Sequence, residues 1–157
     1  MNGKYLFSIL LILVFAIPFA VPTEGEEVER GFPPQAILIA AYMGNAELVH
    51  DILVSGADKN VRDSLGHTAL HLAMYHQNNL AVIKLLLDYG FDPNAIATRN
   101  GHTPLHTAVT ADNETAVRFL LQNGANKNIK CLDGYTPLDM ARSGDKQRLA
   151  SLLFFGR

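Results

Sequence analysis

Residues 101–106, with the sequence GHTPLH, determine how the whole chain is interpreted. Closely related hexapeptides occur at 66–71 (GHTALH) and 134–139 (GYTPLD), and the three initial glycines are 35 and 33 residues apart. A second motif, which starts with glycine and ends with asparagine, alternates with the first at 56–60 (GADKN), 90–94 (GFDPN) and 124–128 (GANKN). Two independent motifs that alternate at one period indicate an internal repeat, so the chain is predicted to be a repeat protein.

Each repeat has the local signals of two helices joined by a short turn. Thr103 offers a capping hydroxyl at a helix N-terminus, and Pro104 suits the first helical position because its φ is already set. Small residues on this first helix, such as Ala73 and Ala108, let a neighbouring repeat approach closely. A second helix, for example residues 80–88 (LAVIKLLLD), is apolar on most faces, which suits a helix that is sandwiched between neighbours.

With these motifs the chain resembles the ankyrin-repeat family, in its G-x-T-P-L-H start, its paired short helices and its G-A-D-x-N turn. The resemblance implies an all-α repeat solenoid over residues 33–157, an ankyrin stack of about four helix-turn-helix units with hairpin loops. We place the units at about 33–65, 66–100, 101–133 and 134–157. The first unit lacks the T-P-L-H box and the last has Asp139 in place of the histidine, as capping repeats would.

Glycines and loop lengths complete the description of the units. Gly90 and Gly124 are predicted to end the second helices, because glycine readily adopts the left-handed conformation found there. The unit that begins at Gly66 is longer than the 33 residues of the family pattern. We place one extra residue in the inter-helix turn at 76–79 and another in the loop around 97–98.

The first 32 residues differ in character from the repeats. Residues 6–17 (LFSILLILVFAI) are almost wholly apolar and follow a weakly positive start, which is the pattern of a secretory signal peptide. We predict a signal peptide at 1–20 and an acidic linker at 21–32, with an uncleaved membrane anchor over residues 5–21 as the alternative. If residues 1–20 are a cleaved signal peptide, the protein is periplasmic or secreted. If residues 5–21 remain as an anchor, it is bound to a membrane.

Charge and cysteine content exclude several classes of protein. The whole chain has a net charge of −2, all of it within residues 1–31, so the repeats are neutral overall. Nucleic-acid binding requires a concentrated basic surface, and we expect no such partner. The single cysteine excludes an intrachain disulfide framework and a multi-cysteine metal site.

Histidine spacing raises the question of a metal site. His67 with His71, and His102 with His106, have the i, i+4 spacing of zinc ligands on a helix. His67 and His102 precede the capping threonines, however, so they are predicted to lie in the turn and not on the helical face. The family resemblance implies that His71 and His106 are structural. We therefore expect no metal, no cofactor and no catalytic residues, and classify the chain as a non-enzyme.

Two further residues have alternative interpretations. Cys131 is predicted at a hairpin tip, where a lone cysteine in an exported protein either forms an intermolecular disulfide or remains inert. Asn113 begins an Asn-Glu-Thr sequon in a turn predicted to be exposed, and is a possible N-glycosylation site in a eukaryotic host.

The family resemblance implies a module that binds a protein partner, which the sequence does not identify, and we expect the chain to be a monomer. Ankyrin stacks typically bind through their hairpin tips and the concave face of their first helices. At the tips the candidates are Arg62, Ser64, Leu65, His67, Arg99, Asn100, His102, Leu132, Asp133 and Tyr135. On the first helices the candidates are Tyr42, Met43, Tyr75, His76, Thr110 and Ala111.

Overall fold

A computed structural model describes residues 32–77 and 79–155, which belong to one compact unit. The predicted signal peptide and nearly all of the linker lie outside the described residues. The described residues contain helices and turns without a strand, in successive pairs. The pairs are α1 (Ala36–Met43) with α2 (Ala46–Val54), α3 (Ala69–Ala73) with α4 (Leu80–Asp88), α5 (Pro104–Thr110) with α6 (Glu114–Gln122), and α7 (Pro137–Ser143) with α8 (Gln147–Phe155). The predicted all-α solenoid of four helix-turn-helix units is confirmed.

Threonine caps start the first helices of the last three units. The Thr103 side chain accepts a hydrogen bond from the His106 N–H at 3.4 Å, and the Thr103 N–H donates to His106 Nδ1 at 3.1 Å. In the final unit Asp139 takes the role of the histidine, because its Oδ2 accepts from the Thr136 N–H at 3.0 Å. Each capping box therefore provides side-chain partners for two backbone N–H groups at the helix start, that of the threonine and that of the third helical residue.

Left-handed glycines end the second helices, as predicted. Gly90 has φ +82° and Gly124 has φ +85°, a conformation that is unfavourable for a residue with a Cβ atom. The backbone can therefore leave α4 and α6 abruptly and run into the hairpin that starts the next unit.

The core is a continuous apolar layer between successive helix pairs. Leu70 and Leu105 on the first helices, and Leu86 and Leu120 on the second helices, are completely buried. Ala73, Ala108 and Ala141 are also completely buried at equivalent positions, which is the close approach that their small size predicts. First helices contact first helices along the stack and second helices contact second helices, so each unit is stabilised by its neighbours.

None of the helices in residues 32–77 and 79–155 is long and apolar enough to cross a lipid bilayer. The segment 5–21, which is the predicted signal peptide or alternative anchor, lies outside these ranges.

Candidate protein-binding surface

The three hairpin tips are tied together in a row by their backbones. A backbone hydrogen bond closes each tip, from Asp63 to His67 at 3.0 Å, from Ala97 to His102 at 2.8 Å and from Cys131 to Tyr135 at 2.9 Å. The middle tip is one residue longer than the others, which confirms the extra residue predicted around 97–98. Between tips, the Arg99 N–H donates to the Leu65 carbonyl at 3.2 Å, and the Leu132 N–H donates to the Asn100 carbonyl at 3.0 Å. The tips therefore form one fixed ribbon.

Gly101 makes the last tip-to-tip contact possible. It has φ +72°, and a Cβ atom at this position would lie 2.7 Å from the Leu132 backbone nitrogen. Any side chain would therefore collide with the neighbouring tip, and the glycine allows the two backbones to reach hydrogen-bonding distance.

One buried histidine joins the first helix of the second unit to the following tip, and another does the same in the third unit. His71 accepts from the Thr68 N–H through Nδ1 at 3.2 Å, and its Nε2 lies 3.0 Å from the His102 carbonyl. His106 repeats the arrangement, with Nε2 lying 3.1 Å from the Tyr135 carbonyl. Because Nδ1 is the acceptor, the proton must be on Nε2, which then donates to the carbonyl. The structural role of His71 and His106 is confirmed.

These histidines have little capacity to bind a metal. The ring nitrogens of His71 and His106 are occupied by the hydrogen bonds described above, and no cluster of three or more potential ligands occurs in the described ranges. Burial lowers the pKa of His71 to about 4, although its bond to the His102 carbonyl acts in the opposite direction. Burial likewise lowers the pKa values of His102 and His106. The neutral imidazole is thus the form that the fold favours.

The prediction that His67 faces a partner is wrong. Its side chain lies beneath the first tip, and the residue is only 4% exposed. The ring Nδ1 lies 3.0 Å from Asp63 Oδ2, while Asp63 Oδ1 accepts from the backbone N–H groups of Leu65 and His67. Burial acts to raise the pKa of Asp63, but these hydrogen bonds outweigh it and the pKa is lowered. His67 therefore holds the tip together from inside.

The prediction of an exposed sequon at Asn113 is also wrong. Asn113 is 1% exposed, and its Nδ2 donates to the Met74 carbonyl at 3.1 Å and to the His76 carbonyl at 2.9 Å. Its Oδ1 accepts from the Ala116 N–H at 3.0 Å and so caps α6. The nitrogen that would bear a glycan is therefore buried between two units.

Asn113 belongs to a series of contacts, here called the turn clasp, that the sequence analysis missed. At the equivalent turn one unit earlier, Asn79 Nδ2 donates to the Ala41 carbonyl at 3.0 Å. One unit later, Lys146 Nζ donates to the Val109 carbonyl at 2.6 Å. Each donor thus reaches back to the preceding unit, Asn79 and Lys146 to its first helix and Asn113 to the residues just after that helix. The signal in the sequence is the recurrence of asparagine before the second helix.

Cys131 is buried and not displayed at the tip. It is 6% exposed, because it forms the base of the last hairpin and not its apex. No disulfide involves it within the described residues, where it is a free thiol. Its position favours the inert alternative over an intermolecular disulfide.

The remaining predicted binding residues lie on the tips, on the first helices and in the turns just after them, where the structure places Tyr75, His76 and Ala111. Arg62 is exposed, but its Nη1 donates to the Gly66 carbonyl at 2.8 Å and the Ile96 carbonyl at 2.9 Å, so it also tethers two tips. Asn100, His102 and Ala111 are half-buried. The exposed members of the set are Tyr42, Met43, Ser64, Leu65, Tyr75, His76, Arg99, Thr110, Leu132, Asp133 and Tyr135.

Three of these side chains form a cluster on the first two units. The Tyr42 and Tyr75 ring centroids are 6.3 Å apart with the planes inclined at 62°, and the Tyr42 and His76 centroids are 5.5 Å apart at 67°. Both are edge-to-face arrangements, which aromatic rings prefer over direct stacking. We call Tyr42, Tyr75 and His76 the ring cluster.

Comparison with known proteins agrees with this architecture. A family model described as ankyrin repeats (3 copies) matches residues 37–131 and 98–155. A mitochondrial disaggregase of Bos taurus is 34% identical over 149 residues, covering 73% of this chain and 22% of that protein. The Neurogenic locus Notch protein of Drosophila melanogaster is 43% identical over 98 residues, covering 61% and 4%, respectively. An ankyrin repeat protein of fowlpox virus (strain NVSL) is 37% identical over 123 residues, covering 74% and 36%. The chain spans well under half the length of each.

Proposed function

Because the chain belongs to the ankyrin-repeat family, whose repeats are generally protein-protein interaction modules, we propose that it is an exported, non-enzymatic module that displays its hairpin tips and concave helical face to a protein partner. The observation that supports the proposal most directly is the backbone ribbon. The bonds from Arg99 to Leu65 and from Leu132 to Asn100 hold the exposed side chains of the tips in one arrangement before any partner arrives.

A surface held in this way loses little conformational entropy on binding. It also presents the residue types that dominate binding energy, because tyrosine and arginine are enriched among interface hot spots. Tyr135 and Arg99 are exposed on the tips, Tyr42 is exposed on α1, and Tyr75 is exposed in the turn just after α3. Leu132 adds an apolar side chain that is 72% exposed.

Site-specific photo-cross-linking tests this display directly. We would place a photo-reactive amino acid at Tyr135 on the last tip in the full chain, expressed in its own host. The matched control is Lys84 on α4, which is exposed on the opposite side of the helix pairs. The proposal expects one discrete adduct from position 135 and none from position 84. Adducts from position 84 alone would contradict it.

Export is supported by the composition of residues 1–20 and requires a separate test. Intact mass and N-terminal sequence should be determined on protein from the host after separation of soluble and membrane fractions. A soluble form that lacks roughly the first 20 residues would support export. A membrane-bound form that retains Met1 would instead support the alternative, an anchored scaffold or accessory subunit held by residues 5–21, whose uncharged run motivates it.

A further inference from the structure

Four histidines form a continuous row beneath the tips, here called the histidine row: His67, His71, His102 and His106. The His67 and His71 ring centroids are 5.5 Å apart in the second unit, and those of His102 and His106 are 5.4 Å apart in the third. The contact of His71 Nε2 with the His102 carbonyl, at 3.0 Å, connects the two pairs. His71 and His106 are completely buried. A charge on one ring of a pair therefore lies next to the other ring.

The two buried rings have no position for a second proton. The Thr68 N–H and hydroxyl oxygen lie 3.2 and 2.9 Å from His71 Nδ1, while Nε2–H donates to the His102 carbonyl. The corresponding distances from Thr103 to His106 Nδ1 are 3.1 and 2.9 Å. A backbone N–H can only donate, so a proton added to Nδ1 would face the threonine N–H and break the capping bond. Because the ring is rigid, a rotation that moves Nδ1 away also moves Nε2 off the carbonyl.

The ring of His67, in contrast, can accept a proton without losing its bond. Its Nδ1 lies 3.0 Å from Asp63 Oδ2. A carboxylate only accepts, so Nδ1 already carries a hydrogen, and a second proton would go to Nε2. A charge on His67 then stands beside the His71 ring, where repulsion disfavours a second positive charge. The row therefore titrates as a coupled group and not as four independent side chains.

The charged groups around the first pair offset this repulsion only in part. Burial is the main cause of the lowered pKa of His71, and the charges of His67 and Arg62 lower that pKa further. The bond to the His102 carbonyl and the charge of Asp63 act in the opposite direction. The closed arrangement of the first pair therefore disfavours a charge on its buried ring.

The second pair has the same balance of effects. Burial lowers the pKa of His102, and the charge of His67 adds to this effect while Asp133 opposes it. Burial also lowers the pKa of His106, where the Tyr135 carbonyl opposes the effect and the charge of His102 adds to it. In both units, added protons therefore favour a state in which the rings separate and leave their buried positions.

We infer that the histidine row is an acid-sensitive latch that releases the protein partner. Protonation of His71 and His106 breaks their bonds to the caps and to the tips. The ribbon of tips then comes free of the first helices and loses the arrangement that a partner binds. Histidine suits this role because it changes charge between about pH 5 and 8 when unperturbed, and protonation of histidine clusters switches interfaces in pH-sensing proteins. This inference rests on the proposed function, because it specifies how binding at the same tips is regulated.

Hydrogen exchange in the full chain, followed by NMR, tests whether the tips open in acid. The reporters are the amide hydrogens of Arg99 and Leu132, which form the two bonds between tips. Their protection factors, which correct for the effect of pH on unstructured amides, should fall about tenfold or more from pH 7.5 to pH 5.0. The amides of Leu86 and Leu120 on the second helices should be better protected at both pH values. Unchanged protection of the tips would overturn the latch. Protection equal to that of the second helices would also overturn it, because the tips would then open only with the whole fold.

Substitutions separate the latch from a general effect of acid. His71→Gln with His106→Gln removes both buried titrating rings, and glutamine at this position of a capping box can still accept from the threonine N–H. The tips of this variant should lose most of their pH response. His67→Gln with His102→Gln keeps the buried rings without their charged neighbours, and should reduce the response to a smaller extent. The control His50→Gln removes an exposed histidine on α2 and should leave the response unchanged. A full response in the first variant or, if that variant does not fold, in the second would show that the row is not responsible.

Cross-linking then relates opening to binding. With the photo-reactive amino acid at Tyr135, the adduct should form in host extract at pH 7.5 and be lost at pH 5.0. In the variant with glutamine at positions 71 and 106, the adduct should persist at pH 5.0. An equal yield from the original chain at both pH values would overturn partner release. If an adduct forms but the tips show no pH response, this inference fails and the proposed function stands.

Discussion

The Nε2 atom of His71 lies 3.0 Å from the backbone carbonyl of His102, which is 31 residues later in the chain. This bond ties the first helix of one unit to the tip of the next. His106 makes the equivalent bond to Tyr135 over 29 residues. The tips that form the candidate surface are therefore held by buried imidazoles, and their stability should depend on the charge of those rings.

Acidification should destabilise the protein through His71. Its pKa in the folded state is about 4, below the ordinary value of 6.5, because burial disfavours the charged ring. The unfolded chain therefore takes up the proton first, so the stability contributed above pH 6.5 is lost progressively as the pH falls towards 4. We expect the free energy of unfolding to fall by about 2 kcal/mol from this residue at pH 5.

Chemical denaturation at pH 7.5 and pH 5.0 measures this effect. The comparison variant is His71→Gln, which has no titrating ring. It should be less stable than the original chain at pH 7.5 but lose less stability on acidification. An identical loss in both proteins would show that His71 is not the responsible group.

The turn clasp should contribute stability beyond helix capping. Asn113→Asp keeps the oxygen that caps α6, but it removes the two donations to the Met74 and His76 carbonyls. Buried groups without partners cost about 1–3 kcal/mol, and the new carboxylate oxygen would also face the two carbonyl oxygens, so we expect the free energy of unfolding to fall by at least that amount. The control is Asn45→Asp, since Asn45 caps α2 through its oxygen in the same way, at 3.0 Å from the Leu48 nitrogen. Equal effects at positions 45 and 113 in urea denaturation would contradict a separate role for the clasp.

Gly101 should tolerate alanine less well than Gly124. Both have positive φ, +72° and +85°, so both pay a conformational cost of about 1–2 kcal/mol on gaining a Cβ atom. Only at Gly101 would that atom also lie 2.7 Å from the Leu132 nitrogen, whereas a Cβ at Gly124 has no heavy atom within 4 Å. The midpoint of thermal unfolding should therefore fall further for Gly101→Ala. Equal midpoints would mean that the tips can separate without cost.

Cys131 should react slowly with thiol reagents while the protein is folded. Its residue exposure of 6% shields the sulfur, so modification requires local opening of the last hairpin. A colorimetric thiol reagent should label it fully in denaturant and far more slowly in buffer. Rapid labelling of the folded chain would support the alternative of an intermolecular disulfide.

Local signals in the sequence were sufficient for the fold because they act over a few residues. Thr103 and Pro104 start a helix, Gly124 ends one, and the two alternating motifs define the period whatever their neighbours contain. The buried alanines at 73, 108 and 141 follow from the same period, since small side chains at one repeated position imply close packing. The ring cluster was partly foreseeable, because Tyr42 and Tyr75 occupy equivalent positions of successive units.

The sequence by itself thus determined the repeat, the helix boundaries near the caps and the general location of the tips. Only the tertiary structure decided which polar residues of those tips and turns face solvent. His67 and Asn113 both lie in segments that are polar by composition, yet both are buried. Asn113 is buried by its contacts with the preceding unit, where its partners Met74 and His76 lie 39 and 37 residues earlier in the chain. The exposure of a residue in a solenoid depends on the neighbouring unit that packs over it, and local sequence does not contain that information.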